Sequence, residues 1–392
     1  MTGRASSAGI TGRASRAGMT GRAGSAGKTG RGLLAVSHTG LFSGAERVLL
    51  HYATAAREAG WSVSVATPAG TMDETMRAAG FVTSALADLK LGDGPRPVAA
   101  ARLAARWVPA ARQLRRIGGD ADVVLVNGLL ALPAARLARL RAPLCWLVHD
   151  VVVRNDLEMI VRGSAGAVDL AIAVSDAAGA LARRLGIPTV VARNGARWPV
   201  DAAPDTAPPD EDGRPIVGIN AMLTPWKGHL VLLDAMARVP TATVELMGGS
   251  FPKDGDHVEV LRRRASQPDL AGRVRFLGQR SDPLDVMRRW TVAVNASVDP
   301  EAAPLSVLEA MSIGLPVVAT DHGGSSEVLG EAGVLVPPRD AGALAGAVSA
   351  LLADPLRRAR CRDAGRHAVA ERYNLGQTTD RFLDLLAAAT TR

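Results

Sequence analysis

Aromatic residues make up only 3% of this 392-residue chain, which also has two cysteines and just four lysines among its 46 basic residues. With so few aromatics, buried cores must be built from Ala, Val and Leu, and the 47% hydrophobic content is ample for that. No basic stripe is interleaved with aromatics, which argues against a nucleic-acid-binding surface. Cys145 and Cys361 fall in separate predicted domains, so a reduced compartment is expected rather than a disulfide framework. No apolar run reaches the length of a membrane span, and the N-terminus lacks the apolar centre of a secretion signal; a cytoplasmic location is expected. His, Cys and acidic residues nowhere cluster at metal-ligand spacing, so no metal is expected.

The net charge of +8 is unevenly placed. Residues 1–32 hold six basic and no acidic groups, residues 33–195 hold 18 and 13, and residues 196–392 hold 22 and 25. Much of the basicity therefore belongs to an N-terminal tail. Residues 2–28 are three nine-residue copies beginning T-G-R-A, with almost nothing to bury, and are expected to be disordered. Ala26–Thr29 resembles the end of a phosphate-binding loop, but Arg22 stands where that motif needs glycine and no strand precedes it.

From Leu33 onward, apolar strands alternate with helical stretches, the pattern of a parallel sheet covered on both faces. Strands are expected at 33–37, 61–67, 81–86, 123–127, 144–148, 168–174 and 189–195. After a Pro- and Asp-rich hinge (199–214) they resume at 215–220, 242–247, 274–277, 291–297 and 316–320. Between them, Arg96–Arg116 is rich in Arg and Ala with Pro109 inside. A solvated helix face with a kink or break at Pro109 is the preferred reading, over a membrane-docking helix.

The stretch Asp299–Glu309, D-P-E-A-A-P-L-S-V-L-E, carries the chemistry. Glu301 sits at the C-terminal mouth of a strand, and Glu309 lies about one turn into the helix that follows. Ligands of open parallel sheets bind at that mouth, and a helix start suits a diphosphate. Two carboxylates seven residues apart, followed by E-A-M-S-I-G-L-P-V-V-A-T, G-G-S-S-E-V-L and G-V-L-V-P-P-R-D, resemble the retaining, nucleotide-sugar-dependent glycosyltransferases of family 4. The resemblance covers roughly residues 33–390.

It implies an α/β chain with two Rossmann-like domains facing a central cleft. The first would span 33–198 and bind the acceptor; the second, 215–374, would bind the donor. The last helix (375–392) would cross back to the first domain. It also implies roles. The loop at Gly44 would face the donor, and His149, at a strand end, would lie beside the transferred sugar. Lys227 in P-W-K-G would hold the diphosphate with the N–H groups of Leu305 and Ser306. Glu301 would bind sugar hydroxyls and Glu309 the ribose. The loops at Gly249 and Arg280 would frame the nucleoside, with a lean to uridine, so the implied donor is a UDP-linked hexose of glucose or N-acetylglucosamine type. The family's usual arginine on the diphosphate is Met222 here, with Arg193 and Arg280 as candidate substitutes; Pro304 stands where glycine is usual. Asp150, Asp156 and Glu158 favour a small polar acceptor such as an aminocyclitol, with a lipid-linked or envelope acceptor as the alternative. Met222 keeps open a degenerate, nucleotide-sugar-binding protein, and the fold also accommodates an epimerase or phosphorylase.

Overall fold

The computed structural model describes residues 30–92, 95–204 and 207–391; the repeat stretch 2–28 lies outside them. Seven parallel strands form a first sheet: β1 (Gly32–Ser37), β2 (Ser62–Thr67), β3 (Val82–Ala85), β4 (Val123–Asn127), β5 (Leu144–Val148), β6 (Leu170–Ala173) and β7 (Thr189–Val191). Their order is 3-2-1-4-5-6-7. Six more form a second: β8 (Ile216–Asn220), β9 (Thr243–Met247), β10 (Val274–Gly278), β11 (Val292–Asn295), β12 (Val317–Thr320) and β13 (Gly333–Val336), in the order 10-9-8-11-12-13. β1, β4, β5, β6, β9, β11 and β12 are buried at every position, as strands covered by helices on both faces must be. In each sheet the winding reverses once, between β1 and β4 and between β8 and β11. Those two switch points fix where a ligand can enter.

The helix Leu375–Ala389 returns to the first domain. There Phe382 stacks on Tyr52 with ring centroids 3.7 Å apart, and His51 Nε2 lies 2.6 Å from Thr379 Oγ1. A second clasp spans the cleft. Glu327, from the G-G-S-S-E segment, accepts hydrogen bonds from the backbone N–H groups of Asp176 (2.9 Å) and Ala177 (2.8 Å). These open the helix Asp176–Arg184, whose own cap is Ser175. A carboxylate at a helix start satisfies orphan donors and the positive end of the dipole. Glu327→Ala is expected to lower stability by ~1 kcal/mol, read from urea unfolding; an unchanged midpoint would mean that the clasp contributes nothing to stability.

Of the kink or break expected at Pro109, the break is corrected. The helix Arg96–Ile117 runs unbroken through Pro109. Proline removes one backbone bond and costs ~3 kcal/mol in a helix interior. Leu103 on one side, and Ala110, Ala111 and Leu114 on the other, are buried against the domain, and that packing holds the helix together.

Candidate active site

The site lies where the loops after β8 and β11 meet the loops after β1, β4 and β5. Lys227 ends the short turn Pro225–Lys227. Gly228 follows with φ +71°, and a β-carbon there would collide with the Ala296 carbonyl. Only glycine lets the lysine loop lie this close to the β11 loop. Lys227 Nζ is thereby set 2.7 Å from Glu301 Oε2 and 3.9 Å from the centre of the Trp226 ring. The other Glu301 oxygen accepts from Asn295 Nδ2 (2.9 Å) and from Ser297 Oγ. Ser297 is held in turn, its carbonyl accepting from Thr320 Oγ1 at 2.8 Å with His322 Nε2 also at 2.8 Å. Burial pushes the Glu301 carboxyl upward. The Lys227 ammonium and the bonds from Lys227, Ser297 and Asn295 outweigh that, so it ionises below the ordinary glutamate range.

Pro304 caps the helix Leu305–Ser312, and its carbonyl accepts from the N–H groups of Val307 and Leu308. By helix geometry the N–H groups of Leu305 and Ser306 have no carbonyl a turn earlier, so they remain available to an anion. Across the cleft, Gly44 opens the helix Gly44–Glu58, and a β-carbon there would touch Leu305 at 3.9 Å. Glu309, one turn further, pairs with Arg47 of that opposing helix (Nη2–Oε1, 2.9 Å) and receives a long 3.4 Å bond from Asn220. Burial raises its pKa despite Arg47 and Arg197. A cavity of about 620 Å³ opens beside it, lined in part by Arg47, Arg197, Ser281, Asp282 and Leu305.

The first domain contributes His149 at the end of β5, with Nε2 buried and without a partner among the described residues. The enclosing protein and then the neighbouring His38 push its pKa down to about 4. The sequence allows charging near pH 7; the structure makes His149 a neutral donor or acceptor there. Because the folded pKa lies below the ordinary 6.5, its contribution to stability is full above pH 6.5 and is lost as pH falls toward 4. Imidazole ¹⁵N shifts should therefore keep the neutral pattern at pH 5.5. A midpoint near 6.5 would place His149 in open solvent. The Asn127 side chain ends β4 buried, with neither amide atom partnered among the described residues.

Other expected residues fall differently. Met222 lies next to Gly249, whose N–H donates to Gln279 Oε1 at 3.2 Å. Arg280 is held by Asp282 through two 2.9 Å bonds. Arg193 lies 3.8 Å from Asp176, and its charge acts on the nearby Tyr373. Asp150 is exposed at the mouth, but Asp156 pairs with Arg154, and Glu158 with Arg162 (2.9 Å) and Arg184 (2.8 Å). The three acids are thus not a free acidic cluster. Sequence reasoning missed Arg47 and Glu327, whose partners lie in the other domain. It also missed Asn295 and Ser297, although their spacing at a strand end puts both on one side.

Two parallel open sheets with facing switch points, a lysine paired with a buried glutamate and a helix start with free N–H groups define the two-Rossmann-domain class of nucleotide-sugar transferases. A family model described as Glycosyltransferase Family 4 matches residues 42–196, and one described as Glycosyl transferases group 1 matches 214–354. The chain is 32% identical over 348 residues to a phosphatidyl-myo-inositol mannosyltransferase of Mycolicibacterium smegmatis, covering 81% of this chain and 83% of that one. It is 33% identical over 188 residues to a GDP-mannose-dependent alpha-(1-6)-phosphatidylinositol monomannoside mannosyltransferase of the same organism, covering 44% and 48%. For several such relatives the match spans about half their length. The fold is that of Anabaena Alr3699/HepE, crystallised with UDP and glucose, at a TM-score of 0.77 and 23% identity over 91% of this chain and 99% of that one. The chain belongs to glycosyltransferase family 4.

Proposed function

We propose that the protein is a retaining glycosyltransferase that moves a hexosyl group from a nucleoside diphosphate sugar to a hydroxyl of an acceptor at a lipid surface. The observation that carries the transferase reading is the pairing of Lys227 with the buried Glu301 at the switch point of the second sheet. Lys227 and the N–H groups of Leu305 and Ser306 hold the diphosphate, Glu301 accepts from sugar hydroxyls, and Glu309 accepts from the ribose. His149, neutral, steadies the sugar. The bond from the anomeric carbon to the phosphate oxygen breaks as the bond to the acceptor oxygen forms, and the acceptor's proton passes to the leaving phosphate. No carboxylate pair flanks the sugar as in retaining glycosidases, and transfer proceeds without a resident metal.

The lipid surface displaces the aminocyclitol reading because Asp156 and Glu158 already have arginine partners. Five of the eight exposed large hydrophobic residues among the described residues, Val98, Val108, Leu137, Val153 and Met159, lie on or beside three neighbouring helices of the first domain. Exposed Arg102, Arg106, Arg112, Arg116, Arg136 and Arg139 accompany them. Such a face suits the interface of an anionic membrane, and two relatives are named for phosphatidylinositol acceptors. Among the described residues no helix is long and apolar enough to cross a membrane, so the contact is peripheral.

The test is a thermal shift with UDP, GDP, ADP and dTDP without divalent metal. A ligand at ~100 Kd adds ~2.7 kcal/mol of stability, and a shift with one nucleotide identifies the base. Relatives and neighbours are named with both GDP and UDP, and uridine is the base we carry forward. Transfer to phosphatidylinositol in vesicles, against a soluble cyclitol, decides the acceptor. A shift without any product would instead favour a nucleotide-sugar-binding protein.

A further inference from the structure

We propose that Arg47, reaching across from the first domain, supplies the diphosphate cation missing at position 222, and that its ion pair with Glu309 is exchanged for the donor. This rests on the donor-site reading above. Met222 has no charge to offer a phosphate. The two arginines that could replace it from nearby loops face other acids: Arg280 pairs with Asp282 through Nε and Nη2, and Arg193 lies 3.8 Å from Asp176. Arg47 is placed differently. It lies in the first turns of the helix whose opening glycine abuts Leu305, and its guanidinium lines the cavity that also contains Leu305 and Glu309. Its side chain is 47% exposed, so its long stem is free to swing.

The present partner fits a placeholder. Among the described residues, Glu309 uses one oxygen on Arg47, and the other takes a long 3.4 Å contact from Asn220. That leaves lone pairs for ribose hydroxyls, while Arg197 also lines the cavity. An incoming diphosphate offers Arg47 a planar bidentate match with more charge than one carboxylate. When Arg47 turns to the phosphates, Glu309 is released to accept from the ribose. The same exchange replaces a direct link between the two domains with one running through the donor.

The experiment is calorimetric binding of uridine, guanosine, UDP and GDP to the full chain, its R47A and R47K variants, and R47A carrying M222R. Arg47 is half exposed, so folded protein is expected; circular dichroism confirms it. The expected result is a ~10–10²-fold loss of nucleoside diphosphate affinity in R47A, with nucleoside affinity unchanged or higher because Glu309 is freed. R47K should show a smaller loss, and M222R in the R47A background should recover most of the affinity. Equal diphosphate affinity in wild type and R47A would overturn the proposal, as would equal losses for nucleoside and diphosphate. Either result leaves the transferase reading standing. Absence of nucleotide binding by the wild type would overturn both.

Discussion

Glu301→Gln is expected to lower kcat/KM for glycosyl transfer by ~10²-fold or more while the protein stays folded. Glutamine keeps the size of the side chain and one oxygen, but not the negative charge. Each hydrogen bond from a sugar hydroxyl to a charged acceptor contributes about 1.5–3 kcal/mol, and two such bonds weakened together reach that loss. The structural cost is smaller. Lys227 loses its partner but is 15% exposed, so water softens the penalty to about 1–2 kcal/mol. A pH series separates the two effects. The Glu301 carboxyl ionises below the ordinary 4.5 in the folded chain, so its contribution to stability is present above that pH and is lost as pH falls through the folded value. The variant should lack that acid limb. A folded variant turning over at the wild-type rate would move sugar binding to another residue.

Lys227→Met has the second large effect. Methionine keeps the apolar stem against Trp226 but removes the ammonium from the diphosphate and from Glu301. Affinity for a nucleoside diphosphate is expected to fall ~10²-fold, from one lost charge-assisted bond at the upper end of its range; nucleoside affinity should be unchanged. Glu301 is 8% exposed, and without its cation burial dominates, so its pKa moves up. With the folded pKa above the ordinary 4.5 the sign reverses: the carboxyl's contribution is full below that pH and is lost as pH rises through the folded value, whereas Glu301→Gln has no such dependence in either direction. Equal losses for nucleoside and diphosphate would mean that Lys227 shapes the pocket without holding phosphate.

The strands, their parallel arrangement and the Lys227–Glu301 site were legible in the chain. Strands buried on both faces are written as short apolar runs between turn residues, and each element predicted as a strand falls within a few residues of its place. β13 is the one strand outside the expected set, although its residues belong to the G-V-L-V-P-P-R-D segment. Glu301 was legible because strand, turn and helix start are contiguous. Lys227 was legible through the P-W-K-G resemblance to family 4, with its rarity as one of only four lysines in support.

What was not legible depends on contacts between distant segments. The chain shows Asp156 and Glu158 as acids near a histidine; only packing brings Arg162 and Arg184 onto Glu158. Pro109 reads as a kink or break, and only burial on both sides of it keeps the helix whole. His149 reads as a group that can titrate near neutrality; enclosure sets it at about 4. Arg47 meets Glu309, and Glu327 meets the N–H groups of Asp176 and Ala177, across the cleft. Local pattern alone determined the strands, the helices and the chemistry that one loop can hold, because periodicity and turn geometry act over a few residues. The charge state and partner of each polar side chain were decided only by tertiary structure, because desolvation and ion pairing depend on which surfaces the two domains bring together.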